Sequence, residues 1–128
     1  MARVLVVDDS PTDQAWMKQA LSGAGHAVLE AASGNEALQL VRSHRPDCVV
    51  MDLVMPGING FEATRTLSRD PLTAMIPVII VSSKDQDSDR HWALRQGARA
   101  YLTKPLRAAE LLVQIHLLLR LPGEPQYA

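Results

Sequence analysis

Apolar positions along the chain fall into two alternating textures. Short runs that are apolar at every residue occur at Val4-Leu5-Val6-Val7, Val49-Val50-Met51 and Val78-Ile79-Ile80-Val81, with weaker ones at Val28-Leu29 and Ala100-Tyr101-Leu102. A strand with one wet face alternates apolar and polar residues, so runs of this kind suit strands buried on both faces. Between them lie stretches whose apolar residues recur at helical spacing: Met17, Ala20, Leu21 and Ala24; Ala37, Leu38 and Val41; Phe61, Thr64 and Leu67; Leu112, Ile115 and Leu119. A fourth helix, from about Asp87 to Gln96, has the faintest pattern.

The element ends carry their own signals. Ser10-Pro11 is a capping residue followed by proline at the first helical position. Gly23, Gly25 and Gly97 fall where helices should stop, and Pro46 and Pro77 stand just before strands. Strand and helix alternate five times, which predicts an α/β fold: a doubly wound parallel sheet of five strands covered by five helices. There is no internal repeat, linker or low-complexity segment. Residues 1–121 read as one domain, residues 122–128 as a short flexible tail, and no output domain is expected.

At 128 residues the chain can bury a core without metals or disulfides. A net charge of −1 argues against broad electrostatic binding to nucleic acid, leaving room for a local basic patch. The one cysteine, Cys48, cannot form an intramolecular disulfide; it sits in an apolar run as a small buried hydrophobe and suits a reducing compartment. No stretch reaches the about 18 apolar residues of a membrane span, and the N-terminus lacks a signal-peptide layout. A cytoplasmic protein without membrane insertion is expected.

Function in an open parallel sheet gathers at the carboxyl ends of the strands. The first strand runs into Asp8-Asp9, the third ends at Asp52, the fourth ends at Ser82-Ser83, and Lys104-Pro105 follows the fifth. Each feature alone has a plain explanation. An acidic pair at a strand end is commonly a cap or a solvated turn, and a lone Ser or Lys-Pro says little. Their joint placement at one sheet edge is what points to a site. Three carboxylates there repel one another, and a hard divalent cation such as Mg²⁺ (or Mn²⁺) resolves the conflict. Asp9 and Asp52 suit direct ligation, Asp8 ligation through water, and a backbone carbonyl near Val54 offers another oxygen. With the cation in place, a carboxylate oxygen can act as nucleophile toward a phosphoryl donor, with Lys104 and Ser82 contacting the incoming phosphoryl oxygens.

The segments VLVVDDS (Val4 to Ser10), MDLVMPGINGFEATR (Met51 to Arg65), PVIIVSS (Pro77 to Ser83) and GARAYLTKPL (Gly97 to Leu106) resemble the receiver domains of bacterial two-component response regulators, the CheY-like superfamily, over residues 3 to 121. The runs MDLVMPGINGFEATR and IPVIIVSSKDQ, followed by Trp92, are similar more narrowly to the stand-alone PilH-type receivers of the chemosensory system controlling type IV pili and twitching motility. The resemblance implies a flavodoxin-like strand order, 2-1-3-4-5. It makes Asp52 the phosphoacceptor, Asp8 and Asp9 the metal-holding pair, Ser82 the switch hydroxyl, Lys104 the phosphate-sensing lysine in a cis bond to Pro105, and Tyr101 the switch aromatic. Val54 and Lys84 take the positions that tune phosphoryl lifetime. It further implies a CheA-like histidine kinase as donor and an altered face of fourth helix, fifth strand and fifth helix for a downstream protein of unknown identity.

Several positions admit a second reading. Tyr101 can be an ordinary strand residue with its hydroxyl in water. Trp92 can be a core residue or, with Arg90, His91 and Arg95, part of an exposed partner-facing surface. Trp16 reads as packing, and His26, His44, His91 and His116 show no metal spacing. The leading function is a signalling switch, monomeric or weakly dimeric, promoting no chemistry beyond its own phosphotransfer and dephosphorylation. The alternative is a phosphate sink that drains a shared kinase and needs no target. A small enzyme, whether a nucleotide or flavin binder or an aspartyl-phosphate hydrolase, fits poorly: Asp8-Asp9-Ser10-Pro11 stands where a Gly-rich phosphate loop would be, and the loops leave no room for a substrate-covering cap.

Overall fold

The computed structural model describes residues 1–121; the expected tail, 122–128, lies outside the described residues. The elements run in order as β1 (Arg3–Val7), α1 (Pro11–Gly23), β2 (Ala27–Ala31), α2 (Gly34–His44), β3 (Cys48–Asp52), α3 (Gly60–Arg69), β4 (Val78–Ser82), α4 (Asp87–Arg95), β5 (Ala100–Thr103) and α5 (Ala108–Leu119). The sheet order is β2-β1-β3-β4-β5, with every pairing parallel. This is the doubly wound, flavodoxin-like architecture that the alternation of textures and the resemblance together imply.

The pleat sorts the continuous apolar runs into two cores. Val4, Val6, Val50, Ile79, Val81 and Leu102 face α1 and α5, meeting Met17, Leu21, Leu111, Leu112 and Ile115. Leu5, Val7, Val49, Met51, Val78, Ile80 and Tyr101 face the other way, against Ala37 and Val41 of α2, Ala63 and Leu67 of α3, and Ala93 of α4. β1, β3 and β4 occupy the middle of the sheet, which is why they need apolar residues on both faces. β2 lies at an edge, with Val28 and Leu29 only half-buried, and its weaker run has that cause.

Local signals set the helix boundaries. The Ser10 hydroxyl caps α1 by accepting from the Asp13 N–H at 3.3 Å, with Pro11 at the first position. Gly97 takes φ +111° after α4, a conformation that L side chains resist. Cys48 is fully buried, and that burial pushes its thiol up to about 12, leaving it a packing residue. Between α3 and β4 a turn that the periodicity does not announce puts Leu72 and Met75 on the surface. No helix among the described residues is long and apolar enough to cross a membrane.

Candidate functional site

The carboxyl edge of the sheet gathers the chemistry. Asp8 and Asp9 leave β1, Asp52 closes β3, Ser82 closes β4 and Lys104 follows β5. Backbone packing fixes this floor. A Cβ on Gly60 would stand 2.5 Å from the Asp52 carbonyl oxygen and 2.9 Å from the Leu53 Cα, so only glycine lets α3 begin so close to β3. The Gly60 N–H donates to the Leu53 carbonyl at 2.9 Å. On the other side, Asp8 Oδ1 accepts the Ser10 N–H at 2.8 Å, and Gln14 reaches from α1 to the Ala31 carbonyl at 2.9 Å.

Carboxylate oxygens of Asp8, Asp9 and Asp52 lie within 4.8 Å of one another. Asp8 is buried, Asp52 is 8% exposed and Asp9 opens to solvent. Burial, and then the charge of Asp8, push the Asp52 carboxyl up to about 6 against the pull of Lys104 and the Leu53 N–H. A cluster of hard oxygen donors whose charges oppose one another suits a hard divalent cation better than a soft metal. Lys104 Nζ donates to Asp13 Oδ2 at 2.7 Å and to Asp8 Oδ2 at 3.1 Å, and stands 3.7 Å from Asp52 Oδ1. Burial alone would lower the Lys104 pKa; the hydrogen bonds to Asp13 and Asp8 and the Asp52 charge outweigh it and raise the pKa above the usual lysine range. The Lys104-Pro105 bond is cis.

A second chain of contacts leads away from the acids. The Ser82 hydroxyl, fully buried, accepts the Lys84 N–H at 3.1 Å. The Lys84 carbonyl accepts the Tyr101 hydroxyl at 2.7 Å. Tyr101 is therefore inward and bonded, not a strand residue with its hydroxyl in water. The Arg90 guanidinium sits 5.3 Å from the centre of its ring. Val54 is 58% exposed at the mouth of the site and lines a shallow groove with Lys84, Asn59 and Phe61.

Residues 4–116 match the response regulator receiver domain family. The chain belongs to that family. It is 52% identical over 119 residues to protein PilH of Pseudomonas aeruginosa, covering 93% of this chain and 98% of that one. It is 34% identical over 120 residues to the phosphate regulon transcriptional regulatory protein PhoB of the same organism, covering 94% of this chain and 52% of PhoB. The chain thus spans about half the length of that relative. Among solved structures, the receiver domain of the Francisella response regulator 1452 superposes with a TM-score of 0.88 at 30% identity, over 94% of this chain and 98% of that one.

In this receiver the acidic pair, Asp52, Ser82 and Lys104 all arrive at one edge, as expected from the strand ends. The alternatives for Trp92 resolve toward exposure, at 49%. Trp16 departs from the packing role expected of it: it is 40% exposed and lines a cavity of about 440 Å³ with Asp13, Met17, Ser83, Lys104, Pro105 and Leu106. The sequence did not single out Asp13, and it placed Arg90 only on the surface beside Trp92, announcing no contact to Tyr101. An acid in the first turn after a capping serine looks like a complement to the helix dipole. Its partner Lys104 stands 91 residues away, so nothing local announces the contact.

Proposed function

We propose that this receiver works as a phosphorylation-operated switch, with Asp52 as the phosphoacceptor. The observation that carries the reading is the convergence of the Asp8, Asp9 and Asp52 carboxylates within 4.8 Å beside the Lys104 ammonium. An Asp52 oxygen attacks the phosphorus of a phosphohistidine on a CheA-like kinase. The P–N bond breaks, and the leaving ring nitrogen takes the bonding pair, neutralised by a proton on the ring's other nitrogen. Lys104 offsets the charge of the arriving phosphoryl oxygens, and the Ser82 hydroxyl turns to donate to one of them.

Asp8, Asp9, Asp52 and the Val54 backbone carbonyl are the groups that would hold Mg²⁺ or Mn²⁺, with Asp8 acting through water. The bound ion supplies charge neutralisation that lets carboxylate and phosphoryl group approach. Turning Ser82 removes the acceptor of the Lys84 N–H, and Lys84 in turn holds Tyr101. The change reaches the face of α4, β5 and α5, where Trp92 is exposed to meet a downstream protein. Val54 and Lys84 border the path of attacking water and set the phosphoryl lifetime. The likeness to PilH supports a place in type IV pilus motility, and the proposed switch is a cytoplasmic protein, monomeric or weakly dimeric.

Intact mass after incubation with Mg²⁺ and a small acyl phosphate tests the reading. The wild type gains one phosphoryl group, Asp52→Asn gains none, and a chelator abolishes the gain. A phosphoryl group that persists in Asp52→Asn overturns the choice of acceptor. The decay time then separates a switch from a phosphate sink.

A further inference from the structure

Lys104 has three carboxylates within reach and uses them unequally. Its shortest contact, 2.7 Å, goes to Asp13; the contact to Asp8 is 3.1 Å, and Asp52 at 3.7 Å lies beyond hydrogen-bond range. In the resting protein the cation that the proposed function assigns to the phosphoryl group is therefore held most closely by a residue that function does not use.

The backbone that carries the Asp13 carboxylate is fixed. Ser10 caps its backbone N–H, Pro11 pre-sets the first turn, and Gln14 ties the next position to the β2 end through the Ala31 carbonyl. An acid serving the helix dipole alone would need no partner across the sheet edge. Here the carboxylate instead closes on Lys104, beside the cavity lined by Trp16 and Leu106. The backbone of Lys104 is equally fixed, because its N–H donates to the Ser82 carbonyl at 2.8 Å. What can move is the lysine stem, swinging between carboxylates carried on anchored backbone.

We infer that Asp13 is a positioning residue that holds Lys104 in the resting receiver and must give it up before Asp52 can carry a phosphoryl group. The inference rests on the reading of Asp52 as phosphoacceptor and adds a brake to it. The phosphoryl group brings charge next to Asp52 and draws the ammonium across; Asp13 resists by the strength of its own contact. Removing Asp13 lowers the cost of the transfer and shifts the balance toward the phosphorylated form. The loss of one partly exposed, charge-assisted contact corresponds to about a fivefold change.

Two measurements on the full chain test this. The first is the rate of phosphorylation by a small acyl phosphate with Mg²⁺, for wild type, Asp13→Ala, Lys104→Ala and the double variant. Asp13→Ala is expected to be about fivefold faster than wild type, and the gain is expected to vanish in the Lys104→Ala background. An unchanged rate overturns the inference. So does a gain that survives without Lys104, since Asp13 would then act only as a charge repelling the anionic donor. The second measurement needs no phosphoryl transfer: the crystal structure of metal-free Asp13→Ala. Lys104 Nζ closing on Asp52 supports the hold, and Lys104 unmoved overturns it. If Lys104 moves but no variant is phosphorylated, the phosphoacceptor reading falls and the hold stands. If phosphorylation proceeds with Lys104 unmoved, the hold alone falls.

Discussion

Helices α3 and α4 cover the same face of the sheet and differ by one residue in length, 10 against 9, yet they are attached to the site in different ways. α3 opens with a capping box, in which the Asn59 side chain accepts the Glu62 N–H at 2.9 Å and Glu62 reaches back to the Asn59 N–H at 3.4 Å. It buries Gly60, Ala63, Thr64 and Leu67, and its first residue rests on the backbone of Asp52. α4 buries Ala93, and among the described residues no side chain caps its start. Polar contacts from Arg90 fasten it, at 3.3 Å to the Tyr101 carbonyl and 3.1 Å to the Thr103 hydroxyl. α3 is part of the floor that fixes Asp52. α4 is held by interactions that a change in Tyr101 can loosen, which is what the proposed switch would require of it.

The largest effect expected from breaking this contrast comes from Gly60→Ala. The added Cβ meets backbone at 2.5 and 2.9 Å, and backbone cannot step aside as a flexible side chain can. Destabilisation of about 2–3 kcal/mol is expected by urea unfolding, with phosphorylation slowed as the Asp52 backbone shifts. Neutral behaviour would mean that α3 is no more firmly seated than α4.

Next in size is the charge on the rigid side. The Asp52 pKa is raised to about 6 in the folded protein from 3.8. Above pH 6 the carboxylate is charged in both folded and unfolded chains, and the folded one bears the cost of burial and of repulsion by Asp8. As pH falls through 6, the folded protein takes up the proton first, and this cost is relieved on the way to pH 4. Metal-free Asp52→Asn is therefore expected to be more stable than wild type at pH 8 by about 1–2 kcal/mol, allowing for solvent screening at the site mouth. The gap closes between pH 6 and 4. Urea titrations in chelator at three pH values measure it, and a gap that widens on acidification reverses the sign of the argument.

The contrast also marks where the sequence was legible. Buried strands declare themselves because a doubly covered sheet takes apolar side chains on both faces until its carboxyl edge, as in Val78-Ile79-Ile80-Val81. Asp8, Asp52, Ser82 and Lys104 follow once those strands are placed, because parallel strands bring their carboxyl ends together. α1 announces its start through Ser10-Pro11, whereas the Asn59 cap of α3 came to light only in the fold. α4 lacks both a cap and a broad apolar stripe, so its pattern is faint for the same reason that its attachment is slight. Asp13 stayed hidden because its helical position already accounts for an acid, and only the folded chain sets it against Lys104. Trp16 misled because a large aromatic on an amphipathic helix usually faces the core, whereas here it borders an open cavity.

The smallest and most discriminating effects lie at the two helix starts. Asn59→Ala removes a cap and is expected to cost about 1 kcal/mol of global stability, while Gln86→Ala removes no cap bond and changes nothing measurable. Gln86→Ser should do more. Gln86 already has the extended backbone of a cap, φ −76° and ψ 148°, so a serine hydroxyl there can accept the Asp89 N–H. If α4 opens independently of the rest, this new cap slows hydrogen exchange at the Ala93 and Leu94 amides by about fivefold and leaves global unfolding nearly unchanged. If Gln86→Ser instead raises global stability as much as Asn59→Ala lowers it, α4 unfolds together with α3. The slight attachment would then be a matter of contact chemistry without consequence for motion.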